Sequence, residues 1–193
     1  MAAQYVARWL DQRDRVDTLL EKMPSGLSPS DRARCQHLVY GVIRHYGRLE
    51  SEISRLVVHP PRFATRAVLF VAGFELIEAN NSAEEEGMVA KIVHHAVEQT
   101  KTLASPAESR LVNAVVRKLA PLLNKESPPK VNQANELADY YSHPEWMVKR
   151  WLVQYGAENT RKLLEWNQTP ARACLRWRDA SALPPDFLTA TEW

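Results

Sequence analysis

The sequence predicts an all-α fold: a helical bundle followed by a short helical connecting subdomain that ends in a β-strand. Three observations point there. Apolar residues recur at three- and four-residue spacing from Tyr5 to Leu119. Helix-start signatures stand ahead of several of these stretches. The run Leu38-Val39-Tyr40-Gly41-Val42-Ile43-Arg44 carries a glycine in mid-helix, where it costs about 1 kcal/mol relative to alanine. That loss is tolerable where another backbone passes close to its Cα, so a tightly packed module is expected.

The first helix is expected from Tyr5 to Leu20, with Val6, Trp9, Leu10, Val16 and Leu19 on its apolar side, and it stops before Pro24-Ser25-Gly26. Ser28-Pro29-Ser30-Asp31 supplies a cap and an early proline for a second helix bearing Cys35, Leu38, Val39, Val42, Ile43 and Tyr46. Gly47 is expected to bend or end that helix. Leu49, Ile53, Leu56 and Val57 form a third, closed by His59-Pro60-Pro61. The fourth covers about Phe63 to Ala79, offering Ala67, Phe70, Val71, Phe74 and Ile77 to the core, and Asn80-Asn81 stops it.

Ser82-x-x-Glu85 has capping-box spacing for a fifth helix with Met88, Ile92, Val93, Ala96 and Val97 inside. In Ser105-Pro106-Ala107-Glu108 cap, proline and reciprocal glutamate coincide, opening a sixth with Leu111, Val112, Val115, Val116 and Leu119. Leu123 to Val131 reads as a linker. Ser142-His143-Pro144-Glu145 repeats the start signature ahead of Trp146, Val148, Trp151, Leu152 and Tyr155; Gly156 ends that helix and Ala157 to Trp166 forms another. Ala173, Leu175 and Trp177 then alternate with Cys174 and Arg176 as in a short strand. A lone strand needs a sheet, so the chain reads as stopping just inside a second domain.

Composition narrows the class. The 193 residues are 45% hydrophobic and 25% charged, which is ordinary for a globular protein and argues against disorder. No apolar run approaches the roughly 20 residues a membrane span needs. With Arg8, Asp11, Arg13 and Asp14 at the N-terminus, a cytoplasmic protein without membrane partners is expected. Cys35 and Cys174 form no disulfide framework or thiolate cluster, and Cys35 reads as a buried small hydrophobe. The net charge of +2 excludes nothing, because a local patch can bind phosphate while the total stays near zero.

Reaction chemistry is sparse. No glycine-rich loop follows a strand. Glu84-Glu85-Glu86 reads as a solvated helix start, and the neighbours His94-His95 point apart on a helix rather than toward one metal. No catalytic or metal-ligating residue is assigned. His143 beside Pro144 reads as part of the start of a helix. Trp146, Trp151 and Trp166 fall at helical apolar positions and read as core, while Trp177 and Trp193 stay ambiguous. Arg32, Arg34, Arg44 and Arg48 lie at the two ends of the second helix, Arg62 and Arg66 at the start of the fourth, and Arg110, Arg117 and Lys118 beside the sixth helix's core stripe. Arginine forks suit phosphate and folded RNA, and a mixed solvated surface is the competing reading.

Three ordered motifs resemble one family. Arg34-Cys35-Gln36-His37-Leu38-Val39-Tyr40-Gly41-Val42-Ile43-Arg44 with Leu49, Leu111-Val112-Asn113-Ala114-Val115-Val116-Arg117, and Tyr141-Ser142-His143-Pro144-Glu145-Trp146 together resemble the N-terminal part of the bacterial ribosomal RNA small-subunit cytosine-C5 methyltransferases of the Sun/Fmu type. Their N-terminal module is similar to the antitermination protein NusB, an RNA-binding helical bundle. The resemblance implies a NusB-like bundle over 1–125 and, over 126–193, a helical connector with the start of an α/β subdomain. Arg44 matches the recurrent arginine of the first motif, and Asn113 with Arg117 matches the second. Asn113 is expected to hydrogen-bond a neighbouring helix terminus, and Gly41 to permit a close helix crossing. Gly73-Phe74-Glu75-Leu76 departs from the family, with glutamate where glutamine is usual, which adds negative charge there.

The resemblance also implies what lies elsewhere. Family enzymes use two cysteines in Pro-Cys contexts within a domain that binds S-adenosylmethionine, and neither Cys35 nor Cys174 has that context. This chain is therefore expected to be inactive alone, with S-adenosylmethionine bound only if a catalytic domain follows. The expected function is a non-catalytic module that binds and orients ribosomal RNA through Arg32, Arg34, Arg44, Arg48, Arg62, Arg66, Arg117 and Lys118, with Gly41, Asn113, His143 and Pro144 structural. The alternative is a protein-interaction module in transcription or ribosome assembly that meets a methyltransferase domain or a partner protein.

Overall fold

The structure, a computed structural model, describes residues 1–80, 87–125, 128–171 and 178. Among the described residues there are nine helices: α1 (Ala2–Gln12), α2 (Val16–Glu21), α3 (Pro29–Arg44), α4 (Tyr46–Leu56), α5 (Phe63–Asn80), α6 (Met88–Leu103), α7 (Glu108–Lys125), α8 (Ala134–Tyr140) and α9 (Glu145–Gln168). The all-α expectation holds for them. The expected strand at Ala173 to Trp177, the Ser82–Glu85 capping box, Cys174 and Trp193 lie outside the described residues.

The organising element is α5. Its run Ala67-Val68-Leu69-Phe70-Val71-Ala72-Gly73-Phe74 is apolar on every side, and a helix of that kind has to be enclosed. It is: α1, α3, α4, α6 and α7 all pack on it, and Val68, Leu69 and Leu76 are buried along with the five residues the sequence offered to the core. A single cluster runs from Val6 and Leu10 of α1 through Val39 and Val42 of α3 to Val112, Val116 and Leu119 of α7. Gly41 of α3 is where this bundle is tightest. A Cβ there would lie 2.1 Å from Cζ of Phe74, so the close neighbour is an aromatic ring and not the backbone the sequence pattern implied.

Local signals set the helix starts. Ser28 caps α3: its Oγ accepts from the Asp31 N–H at 3.1 Å and donates to the Asp31 carboxylate at 2.6 Å, with Pro29 in the first turn. Ser105 does the same for α7 through Glu108. Two boundaries differ from expectation. The first helix is split, because Arg13 adopts a left-handed conformation (φ 55°) amid the polar Gln12-Arg13-Asp14-Arg15 and lays its guanidinium 4.7 Å above Trp9 and 5.4 Å above Tyr46. The break after α3 falls at His45 rather than Gly47, which sits inside α4 with Cα of Ser142 only 3.1 Å from where its Cβ would be.

Beyond the bundle, α8 and α9 share a small core of Leu137, Ala138, Tyr141, Val148 and Leu164. The sequence reading missed α8, whose seven residues are too few to show a period. It recovered the interruption at Gly156, where φ is 75° and ψ is 171°. Helix α7 runs through Pro121 to Lys125, so Leu123, expected in a linker, is helical and buried. The α8–α9 unit rests on α4, and this seam positions the candidate site.

Candidate nucleic-acid interface

The eight basic residues singled out in the sequence do not converge. Arg34 reaches from α3 to Glu75 (2.8 Å) and Glu78 (3.5 Å) of α5, and His37 bonds Glu78 beside it. The glutamate that departs from the family pattern is therefore Arg34's own counter-charge. Arg66 holds both oxygens of Glu50 at 2.7 and 2.8 Å, tying α5 to α4. Arg62 pairs with Glu108, which also accepts from Thr65 and Ser105; these bonds hold the Glu108 carboxyl below its usual range and clamp the start of α7 to that of α5. These three guanidiniums are paired with carboxylates of neighbouring helices, Arg66 largely buried and Arg34 and Arg62 more than half exposed.

Three others brace the backbone or a neighbour. Arg32 donates to the Pro24 carbonyl at 2.8 Å and secures the turn before α3. Arg117 donates to Asn113 Oδ1 at 3.0 Å on its own helix, so Asn113 holds an arginine and not a neighbouring helix terminus. Arg48 staples the seam: its N–H donates to Ser142 Oγ (3.0 Å), its guanidinium to the Leu123 carbonyl (3.2 Å), and the guanidinium stacks 4.5 Å from the Tyr140 ring. Lys118 is exposed on α7.

Arg44 is different. It ends α3, half-buried, and donates to no carboxylate or carbonyl among the described residues. Burial pushes its guanidinium pKa down, because the charge is partly removed from water without a counter-ion. It lines a cleft of about 740 Å³ with Trp166, Asn167, Thr169 and Pro170, and an adjoining recess of about 320 Å³ with His37 and Tyr40. Trp166 is 64% exposed and Trp146 63%, which corrects the expectation that both belong to the core; only Trp151 is drawn inward, against His143 at 5.6 Å. A desolvated cation beside open aromatic faces suits a phosphate with a base next to it.

The residues on the inner side of the corner form another arrangement. His45 follows Arg44 and stacks on Phe74 at 5.6 Å; burial, then Arg48, then Arg44, press its pKa down to about 4, so it is neutral at pH 7. His45 Nδ1 and Gln168 Oε1 are buried without a hydrogen-bond partner among the described residues. Such a group costs about 1–3 kcal/mol when left unpaired. Both residues line a cavity of about 470 Å³ at the seam. His143 bonds the Tyr141 carbonyl at 2.5 Å and contacts Asn167 at 3.1 Å, with Pro144 as the N-cap of α9.

Other features read in the sequence take ordinary places. Cys35 is buried and its thiol pKa is raised by that burial, as for an inert core cysteine. His94 and His95 are both exposed, ring centroids 6.2 Å apart. No described helix is long and apolar enough to cross a membrane.

Comparison with known proteins agrees with this architecture. Residues 143–182 match the Methyltr_RsmF/B-like, ferredoxin-like domain. The chain is 28% identical over 164 residues to ribosomal RNA small subunit methyltransferase B of Erwinia tasmaniensis, covering 80% of this chain and 35% of that protein. It is 27% identical over 171 residues to the protein of the same name from Sodalis glossinidius, covering 88% and 38%. The chain thus spans little more than a third of the length of the curated relatives it matches. Residues 1–121, well over half of the chain, match the NusB family, and to that family the chain belongs.

Proposed function

We propose that this chain is an RNA-binding module that docks ribosomal RNA of the small subunit and holds it for chemistry carried out by another part of a longer methyltransferase. One observation carries the reading: Arg44, half-buried and without a counter-charge among the described residues, faces a cleft shared with the exposed Trp166, while Arg34, Arg62 and Arg66 are paired with carboxylates. NusB membership and the names of the relatives agree with it. Phosphate at Arg44 supplies salt-dependent affinity, and Trp166 and Tyr40 supply faces on which bases can stack.

The test is a salt series of titrations with a small-subunit ribosomal RNA fragment. Arg44→Met is expected to weaken binding about tenfold and to reduce the slope of log affinity against log salt by about one. Arg62→Met should leave the slope alone. Equal slopes for wild type and Arg44→Met would sink the reading. A second reading, docking of a protein, is favoured by the exposed Trp146 and Val153, two turns apart on α9. It requires saturable binding to a protein that is nearly indifferent to salt.

A further inference from the structure

The seam cavity is polar in a particular way. Arg48 and Glu165 line it together, so its charges balance, in contrast to the Arg44 cleft, whose lining holds no carboxylate among the described residues. A phosphate is repelled by Glu165 and by the Gln168 carbonyl oxygen; a neutral ligand is not. The remaining wall offers amide and ring groups, from Asn80, Asn124, His45 and Gln168, with the Tyr140 and Tyr141 rings beside them. Two atoms of these lining residues, His45 Nδ1 and Gln168 Oε1, are buried and lack a partner among the described residues, so a small side-chain rotation that meets an occupant with donors and acceptors relieves an unmet hydrogen bond. One water has a share of liquid volume of about 30 Å³, far less than the cavity's roughly 470 Å³, which lies in the usual range for small-molecule sites.

A neutral, planar group with donors and acceptors along one edge meets these requirements. We infer that the seam cavity takes an unpaired nucleobase of the RNA whose phosphate docks at Arg44. The chain itself links the two recesses: the consecutive residues Arg44 and His45 line one each, and so do Asn167 and Gln168. The inference rests on the RNA reading above and narrows it to RNA with a base free of its stack, since a fully paired helix offers phosphate without an accessible base edge.

Two RNA hairpins test it, identical except that one carries a single bulged 2-aminopurine. The wild-type chain should bind the bulged hairpin about tenfold more tightly, with a change in 2-aminopurine emission on binding. Asn124→Trp fills the cavity's lip from an exposed position of α7 and should abolish the preference while binding of the paired hairpin is retained. Gln168→Met, in the wall, should reduce it. Equal wild-type affinity for both hairpins with unchanged emission overturns the inference and leaves RNA docking standing; binding of neither hairpin overturns both. Saturable binding of free cytidine monophosphate that Asn124→Trp blocks, with the hairpins bound alike, assigns the cavity to a free nucleotide and also overturns it.

Discussion

The bundle and the α8–α9 unit solve the same packing problem on different scales. In the bundle, α5 is enclosed by five helices, and its neighbours are fixed both by apolar contact and by ion pairs that cross between elements, Arg66 to Glu50 and Arg62 to Glu108. The α8–α9 unit has a core of five buried residues and leaves Trp146, Val153 and Trp166 in the open. A core that small is marginal alone and depends on what it rests against. The seam with α4 is therefore part of its stability, and two of the buried polar side-chain atoms without a partner among the described residues, His45 Nδ1 and Gln168 Oε1, belong to residues that line that boundary.

The comparison is broken most severely from within the bundle. Gly41→Leu drives a side chain into the Phe74 ring, and that ring cannot retreat freely because His37 and His45 flank it, each 5.6 Å away. Overpacking on this scale costs about 3 kcal/mol, more than the roughly 1 kcal/mol of helix propensity that replacing glycine returns. The expected outcome is a lowered midpoint in urea for the bundle transition, restored in part by adding Phe74→Ala. An unchanged midpoint would mean that α3 and α5 are not in this close register.

Acid sharpens the comparison from the seam side. His45 has a folded pKa of about 4, below its value in an unfolded chain. Between that value and about 6.5 the unfolded chain binds the extra proton, so stability present at pH 7 is lost as the pH falls through this window. His143, also depressed by burial, contributes with the same sign. A loss of about 2 kcal/mol between pH 7 and pH 4 is expected, allowing for partial solvent access at the seam. His45→Phe should flatten most of that pH dependence in urea melts; an identical profile for the variant would remove His45 as its source.

What the sequence disclosed follows the range over which each interaction acts. Ser28 with Asp31 and Ser105 with Glu108 were legible because a cap and its partner lie three residues apart. The enclosure of α5 was legible in part, since the periodic reading named one face of a helix that is buried all round. The fate of the arginines was not legible. Arg34 finds Glu75, and Arg62 finds Glu108, across more than forty residues of chain, so a count of basic side chains could not tell an outward-facing guanidinium from an internal clamp. Trp166 misled for a related reason: helical spacing shows which residues share a face but not whether another element covers it. Arg44 survived as a candidate because the first motif and the cleft agree on it, whereas the seam cavity draws residues from α4, α5, α7, α8 and α9 and had no local signature at all.

The mildest perturbation addresses the seam without touching either core. Gly47→Val places branched methyl groups against the Ser142 backbone, where even a Cβ would sit 3.1 Å from Cα, and so loosens the Arg48 N–H to Ser142 Oγ bond that joins α4 to the turn before α9. Because both partners there are only partly buried, the cost is about 1 kcal/mol, a lost hydrogen bond rather than a cavity. It should fall unequally. Amide exchange in α8 and α9 is expected to quicken several-fold while that of α5 stays slow, since local opening draws on the small core's dependence on its support and leaves the enclosed helix alone. If α5 quickens in step, the two regions unfold as one cooperative unit, and the contrast between a self-sufficient bundle and a supported connector fails.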